Sequence, residues 1–389
     1  MTWTTTAGPI VPAPRPASPA EVLGPLALPA PTAAALEELL AEAAASPSPD
    51  LAEALARTVR RPSKRLRPGL LLAVAELTGT AAEPALLRRA AAVELLHLGS
   101  LVHDDLMDRS HVRGGAPTVY ATHRAEGAVV GGDRLLAAAG LLLADAGPEV
   151  HRVWHQAFLA MCDGQALETA QRHRLGTPAA YLRQVHGKTA ALISAACVLG
   201  ALPVREAAGG TRRGGTTSGP GAARALARYG ACFGVVFQIA DDLADVLATP
   251  ESCGKPVRQD IPRGVYTLPV LLAARGAGGS GLAGVLREDA GDAETAHAYE
   301  TVRRLGVPPA VAVARAWAER ARRALVDEGF ADPAARLLAR LPAHYLDAAL
   351  PDGTAHSCGG DNAVSAARAA AVRGWSGPST RRQSASSAR

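Results

Sequence analysis

Two stretches constrain this chain more than any others: "LVHDDLMD" at 101–108 and "QIADDLAD" at 238–245. Each sets three aspartates among apolar residues, in a segment patterned like a buried helix. Crowded carboxylates repel one another, and an apolar setting raises the cost of keeping them ionised. A fold that accepts both must supply compensating charge. On a helix, positions i and i+4 share a face, about 6 Å apart along the axis. Asp104 and Asp108 therefore point the same way with Asp105 beside them, and Asp241, Asp242 and Asp245 repeat the arrangement. Hard divalent cations take carboxylate oxygens, and Mg²⁺ prefers one or two carboxylates plus water and a substrate phosphate. Two such faces looking at each other would hold several Mg²⁺ ions around a diphosphate and make it a better leaving group. A solvated acidic face is the bland reading of one cluster. By chance about 0.1 such matches are expected in a chain this long, and two, both in apolar helical sequence, favour the metal.

The surrounding composition points to helices. Of 389 residues 48% are hydrophobic but only 4% aromatic, with Ala, Leu and Arg dominant and alternating β-branched runs scarce. The net charge of +5 is spread over helices and tail, so no nucleic-acid surface is read. Five widely spaced cysteines without a CxxC pair argue against a disulfide framework or zinc site and for a reducing cytoplasm. The N-terminus lacks the basic start and apolar core of a signal peptide. The longest nearly uncharged run, 189–204, is short of the roughly 20 residues that span a bilayer, so no transmembrane segment is expected.

Residues 1–31 are Pro/Ala-rich and 351–389 Ser/Gly/Arg-rich, both read as disordered tails. Between them, 32–350 reads as one all-α domain of ten or more helices around a central cavity, with a flexible Gly-rich insertion at about 205–223. The periodicity predicts long helices over 84–108, 131–147, 149–173, 178–202 and 222–248, with a loop at 114–118.

Further motifs fall in a fixed order around the acidic clusters. "KRLRP" (64–68), "ELLHLGSLVHDDLMD" (94–108), "RGGAPT" (113–118), "GDRLLA" (132–137), "GQALE" (164–168), "GKTAAL" (187–192), "FQIADDLAD" (237–245) and "GKPVRQDIPRGVYTLP" (254–269) follow one another. Over about residues 32–349 the chain resembles the all-trans polyprenyl (isoprenyl) diphosphate synthases, of geranylgeranyl or longer-chain type. The resemblance implies condensation of an allylic prenyl diphosphate with isopentenyl diphosphate, an isoprenoid synthase fold and a homodimer. By position it implies that the six aspartates hold Mg²⁺. Lys64, Arg67 and His97 would bind isopentenyl diphosphate, and Arg113, Lys188, Gln238 and Lys255 the allylic diphosphate, with Thr189 nearby. Lys and Arg suit this task because they neutralise phosphate oxygens.

Two positions depart from the family pattern. Gly114 follows Arg113 where a second arginine is usual, and Val265 stands where a lysine is frequent. Arg258, at a frequent glycine position, is expected to restore some positive charge. Chain length is a steric matter: Gly99 and Ser100, one turn before Asp104, with Leu96 and Val93 deeper, are expected to line the path of the growing tail. The small residues there imply products longer than C15, with C20 foremost. A class I terpene cyclase, or a partner subunit with weakened turnover, are the competing readings. The second aspartate triad and the Lys64, Arg67 and His97 set argue against the first, and Gly114 and Val265 keep the second open.

Overall fold

The computed structural model of the chain describes residues 28–63, 65–80, 84–204, 219–247 and 258–350. Four helices come first: α1 (Ala30–Ala43), α2 (Pro49–Val59), α3 (Leu66–Leu77) and α4 (Pro84–Met107). A minimal antiparallel hairpin follows, β1 (Val112–Arg113) with β2 (Ala116–Pro117), pairing Val112 with Pro117 and Arg113 with Ala116. Next are α5 (Val119–Leu142), α6 (Pro148–Gln171), α7 (Pro178–Val185), a π-helical turn (His186–Ala190), α8 (Ala191–Ala201) and α9 (Pro220–Leu247). The set ends with α10 (Leu268–Ala273), α11 (Leu282–Val285), α12 (Asp292–Leu305), α13 (Val307–Val326) and α14 (Pro333–Ala349). The described residues are thus all-α apart from the hairpin.

Local chemistry sets many of the boundaries. Pro49, Pro84, Pro148, Pro178, Pro220 and Pro333 each open a helix, where a fixed φ fits and the missing N–H has no intrahelical partner to lose. Thr118, Thr177 and Asp332 accept hydrogen bonds from the backbone N–H groups of Ala121 (3.0 Å), Ala180 (3.1 Å) and Ala335 (2.9 Å), satisfying donors that a helix start leaves open.

Helix α8 sits at the centre. Its Ile193 and Cys197 join an apolar cluster with α9 and α13, while Leu192, Ala196 and Leu199 join a second with α4, α5 and α6. Burial on both sides explains its nearly uncharged sequence. Among the described residues no helix is long and apolar enough to cross a membrane. The C-terminal end of α8 is held by Arg89, only 2% exposed, which donates to the carbonyls of Leu199 (3.1 Å), Leu202 (2.7 Å) and Pro203 (2.9 Å).

Three differences from the sequence reading have physical causes. Helix α5 starts at Val119 instead of 131: its first turns are largely exposed and carry no apolar stripe, and Arg124 interrupts them with φ 56° and ψ −161°. Residues 220–223 are helical, so the Gly-rich insertion ends earlier than expected, and its residues 205–218 lie outside the described residues, as do 1–27 and 351–389. The expected single helix over 178–202 is split by the π-helical turn, which carries Lys188.

Replacing Arg89 with Ala should remove a buried cation that satisfies three carbonyls and destabilise the protein by about 3 kcal/mol. Denaturant unfolding of the two proteins measures this; a loss well under about 1 kcal/mol would mean that water replaces the guanidinium.

Candidate active site

A cavity of about 900 Å³ opens among α4, α6, the π-helical turn, α9 and residues 260–267. Asp104 lines it from α4 and Asp108 from just past its end, and Asp241 and Asp242 from α9. Both acidic clusters therefore reach one hollow, together with Lys188, Thr189, Gln238, Arg67, His97 and Arg113. Leu101, Leu136, Phe158, Met161 and Leu192 supply apolar wall.

Glycine contact brings these groups together. A Cβ added to Gly164 of α6 would lie 2.1 Å from the Lys188 backbone nitrogen, and one on Gly187 would lie 2.7 Å from the Ala160 carbonyl oxygen. Only two residues without side chains let α6 and the π-helical turn approach this closely. The extra residue in that turn aims two consecutive side chains at the cavity. Lys188 Nζ lies 2.6 Å from Glu168 and 3.5 Å from Asp104. Thr189 donates to Gln238 Oε1 (2.7 Å), and Gln238 Nε2 donates to Asp242 (2.9 Å). Consecutive residues thus reach one acidic cluster each.

The remaining carboxylates are also partnered. Asp108 pairs with Arg172, just past the end of α6. Asp242 accepts from the Tyr181 hydroxyl. Asp105 is not at the cavity wall: it is 5% exposed and accepts from Arg113 Nε at 2.7 Å. Asp245 is likewise turned away, accepting from the Gln259 (2.9 Å) and Asp260 (3.4 Å) backbone N–H groups and the Tyr299 hydroxyl (3.0 Å). Of the six aspartates expected to hold metal, four thus face the cavity, while Asp105 and Asp245 each hold a neighbouring element. Among the described residues no three His, Cys, Asp or Glu side chains converge as a ready-made metal site.

Burial dominates the titration behaviour. It raises Asp242 to about 7, against the Tyr181 and Gln238 hydrogen bonds. It raises Asp260 well above the carboxylate range, helped by Asp245, Asp242 and Asp241. It raises Asp104, although Lys188 opposes it. For Lys188 burial works against the charge, but Asp104 and Glu168 outweigh it and hold the pKa above its ordinary value. His97 is pushed well below 6.5 by burial and then by Arg67, Arg113 and Arg65, so it stands as a neutral imidazole among guanidinium groups.

Other expectations divide. Ser100 lines the cavity, its hydroxyl bonded to the His97 carbonyl at 2.7 Å. Gly99, Leu96 and Val93 do not: Leu96 and Val93 are fully buried in the core, and a Cβ on Gly99 would meet Leu136 Cδ2 at 3.0 Å and the Gly132 carbonyl at 3.1 Å. Gly99 serves the packing of α4 on α5. Arg258 also faces elsewhere, its guanidinium 5.7 Å from the Tyr299 ring centroid, at φ 59°; that left-handed backbone favours glycine. Val265 does line the cavity, and so does Arg263, two residues earlier. Lys64 and Lys255 lie outside the described residues. Sequence reasoning missed Glu168, Asp260, Tyr181, Arg172 and Arg263. Glu168, Asp260 and Arg263 sat inside quoted motifs, while nothing in the sequence marked Tyr181 and Arg172.

A family model described as polyprenyl synthetase matches residues 48–302. The chain belongs to the polyprenyl synthetase family. It is thereby a prenyltransferase by class, as its motifs implied. It is 34% identical over 242 residues to heptaprenyl diphosphate synthase component 2 of Geobacillus stearothermophilus, covering 62% of this chain and 72% of that protein. To geranylgeranyl diphosphate synthase of Methanosarcina mazei it is 34% identical over 217 residues, covering 54% of this chain and 63% of the relative, under two thirds of its length. A crystal structure of polyprenyl synthase from Caulobacter crescentus CB15, complexed with calcium and isoprenyl diphosphate, superimposes with TM-score 0.73 at 26% identity, covering 86% of this chain and 98% of that one. The family fold is thus present, while the relatives differ in product length.

The raised pKa of Asp242 makes a signed prediction. An acid whose folded pKa exceeds its unfolded one, about 3.9, binds its proton more tightly when folded. Its contribution is present below the unfolded pKa and lost as pH rises through about 7. The Tm of the metal-free protein should fall between about pH 4 and about pH 7, and Asp242→Asn should flatten that fall. An unchanged slope in the variant would contradict it.

Proposed function

We propose that this polyprenyl synthetase condenses an allylic prenyl diphosphate with isopentenyl diphosphate, in the presence of Mg²⁺, to give a longer all-trans prenyl diphosphate and free diphosphate. The observation that carries the reading is that Asp104 and Asp108 at the end of α4 and Asp241 and Asp242 on α9 line one cavity together with Lys188, Arg113, Arg67 and His97. The donor set fits Mg²⁺: it is all carboxylate and comes from two facing walls, which leaves coordination to be completed by water and phosphate. Asp104, Asp108, Asp241 and Asp242 would hold the ions, and bound Mg²⁺ would supply charge neutralisation to the departing diphosphate.

The chain's own residues do the rest. Lys188 and Arg113 bind the allylic diphosphate and stabilise it as it leaves, with Thr189 and Gln238 fixing the wall beside it and Lys255 assigned to the same group. Arg67 and His97, with Lys64, hold isopentenyl diphosphate. Neutral His97 can donate one hydrogen bond without adding charge to an already cationic corner. The isopentenyl double bond attacks the allylic cation, and the proton then lost passes to the released diphosphate. Leu101, Leu136, Phe158 and Leu192 keep water from the cation. Ser100 is the small residue that leaves room for the tail, which supports C20 as the main product, with longer ones possible.

A second copy of the chain is the proposed partner. Exposed apolar side chains on α5 and α6, namely Val129, Val130, Leu141, Leu159 and Leu167, support such a face. Cys162, Cys197 and Cys232 are free thiols, which suits a cytoplasmic location.

Purified protein with Mg²⁺, labelled isopentenyl diphosphate and a set of allylic primers should yield elongated diphosphates, C20 foremost, and none after EDTA. Ser100→Phe should shorten the main product by one or more C5 units. Hydrocarbon products, or no product with any primer, would overturn the reading; an unchanged length distribution in the variant would move the tail's path away from Ser100.

A further inference from the structure

Gly114 leaves a gap in charge that the structure fills from elsewhere. It stands in the hairpin turn with φ +58°, directly after Arg113. A Cβ built on Gly114 would lie 2.9 Å from Arg61 Cδ, with Arg61 Nε at 3.5 Å and Cγ at 3.6 Å. The space that a side chain at 114 would enter is therefore already occupied by the stem of Arg61, which arrives from the segment between α2 and α3.

The surroundings of Arg61 are unfavourable for a purely structural cation. Its Nε is buried and makes no hydrogen bond. Burial and the neighbouring Arg113 both work against its charge, and Asp105 alone among the principal influences favours it. Asp105, however, is already engaged by Arg113 Nε. Two guanidinium groups thus share one carboxylate, and of the two Arg113 lines the cavity together with Arg67 and His97. Like charges packed this way are unfavourable until an anion joins them, and a planar guanidinium with an open donor edge matches phosphate oxygens.

We infer that Arg61 supplies the second guanidinium of the isopentenyl diphosphate site, replacing in space the side chain that Gly114 lacks. The inference rests on the prenyl-transfer reading above. It also makes the two positions mutually exclusive: an arginine at 114 would collide with Arg61, and becomes possible only when Arg61 is cut back.

A double-mutant cycle tests this on the full chain, by titration calorimetry with isopentenyl diphosphate and by steady-state kinetics. Arg61→Ala should weaken isopentenyl diphosphate binding about tenfold or more and leave the KM for the allylic primer within about twofold. Arg61→Gln, which keeps the stem against Gly114, should show the same loss if the alanine variant does not fold. Gly114→Arg alone should lower affinity, and Arg61→Ala combined with Gly114→Arg should recover most of it. Unchanged isopentenyl diphosphate affinity in both Arg61 variants, or equal weakening of both substrates with a lowered Tm, would overturn the proposal, as would a double variant no better than Arg61→Ala. Failure of the prenyl-transfer reading looks different: the wild-type chain would elongate no primer, while the calorimetry would still report whether Arg61 holds a diphosphate.

Discussion

The ion pair of Lys188 with Glu168 and Asp104 is the contact on which the cavity depends. One ammonium faces carboxylates from two different helices, α4 and α6, at 3.5 and 2.6 Å. In a partly buried setting such charges are expensive when unpaired and strongly attractive when paired. The pair can form only because Gly164 and Gly187 let α6 and the π-helical turn touch backbone to backbone. Packing thus precedes electrostatics: without that contact the lysine would not reach both acids, and Asp104 would face Asp108 and Glu168 with less compensation.

The same logic divides labour within each acidic cluster. Asp105 turns from the cavity to fix Arg113, and Asp245 turns away to fix the backbone at Gln259 and Asp260 and the Tyr299 hydroxyl. Each cluster therefore spends one carboxylate on positioning and presents two to the hollow. Of the presented acids, Asp104 and Asp108 are engaged by Lys188 and Arg172, and Asp242 by Tyr181 and Gln238. Metal ions entering between the two walls would compete with these partners, and the released cations would then face the diphosphate that accompanies the metal.

Much of this was legible in the sequence because it is local. Both acidic clusters, the long helices that carry them and the motifs around Lys188 and Gln238 are patterns within a few residues, and i, i+4 spacing is enough to put Asp104 and Asp108 on one face. What was not legible depends on packing between distant segments. The break at His186–Ala190 follows from Gly164 on another helix. The packing of Gly99 against Leu136 depends on which side of α4 meets α5. Arg258 was expected at the cavity on charge alone, but its left-handed backbone directs it over Tyr299. Arg61, three residues before the KRLRP motif but outside it, comes to lie on Gly114 only through the fold.

In the proposed reaction both acidic walls act on one diphosphate. A crystal structure of the protein with Mg²⁺ and an unreactive allylic thiodiphosphate tests it most directly. Metal ions should be bound by Asp104 and Asp108 on one side and by Asp241 on the other, with Lys188 and Arg172 drawn from their carboxylates toward phosphate. Ions on one wall only, with the diphosphate outside the cavity and both ion pairs intact, would contradict it.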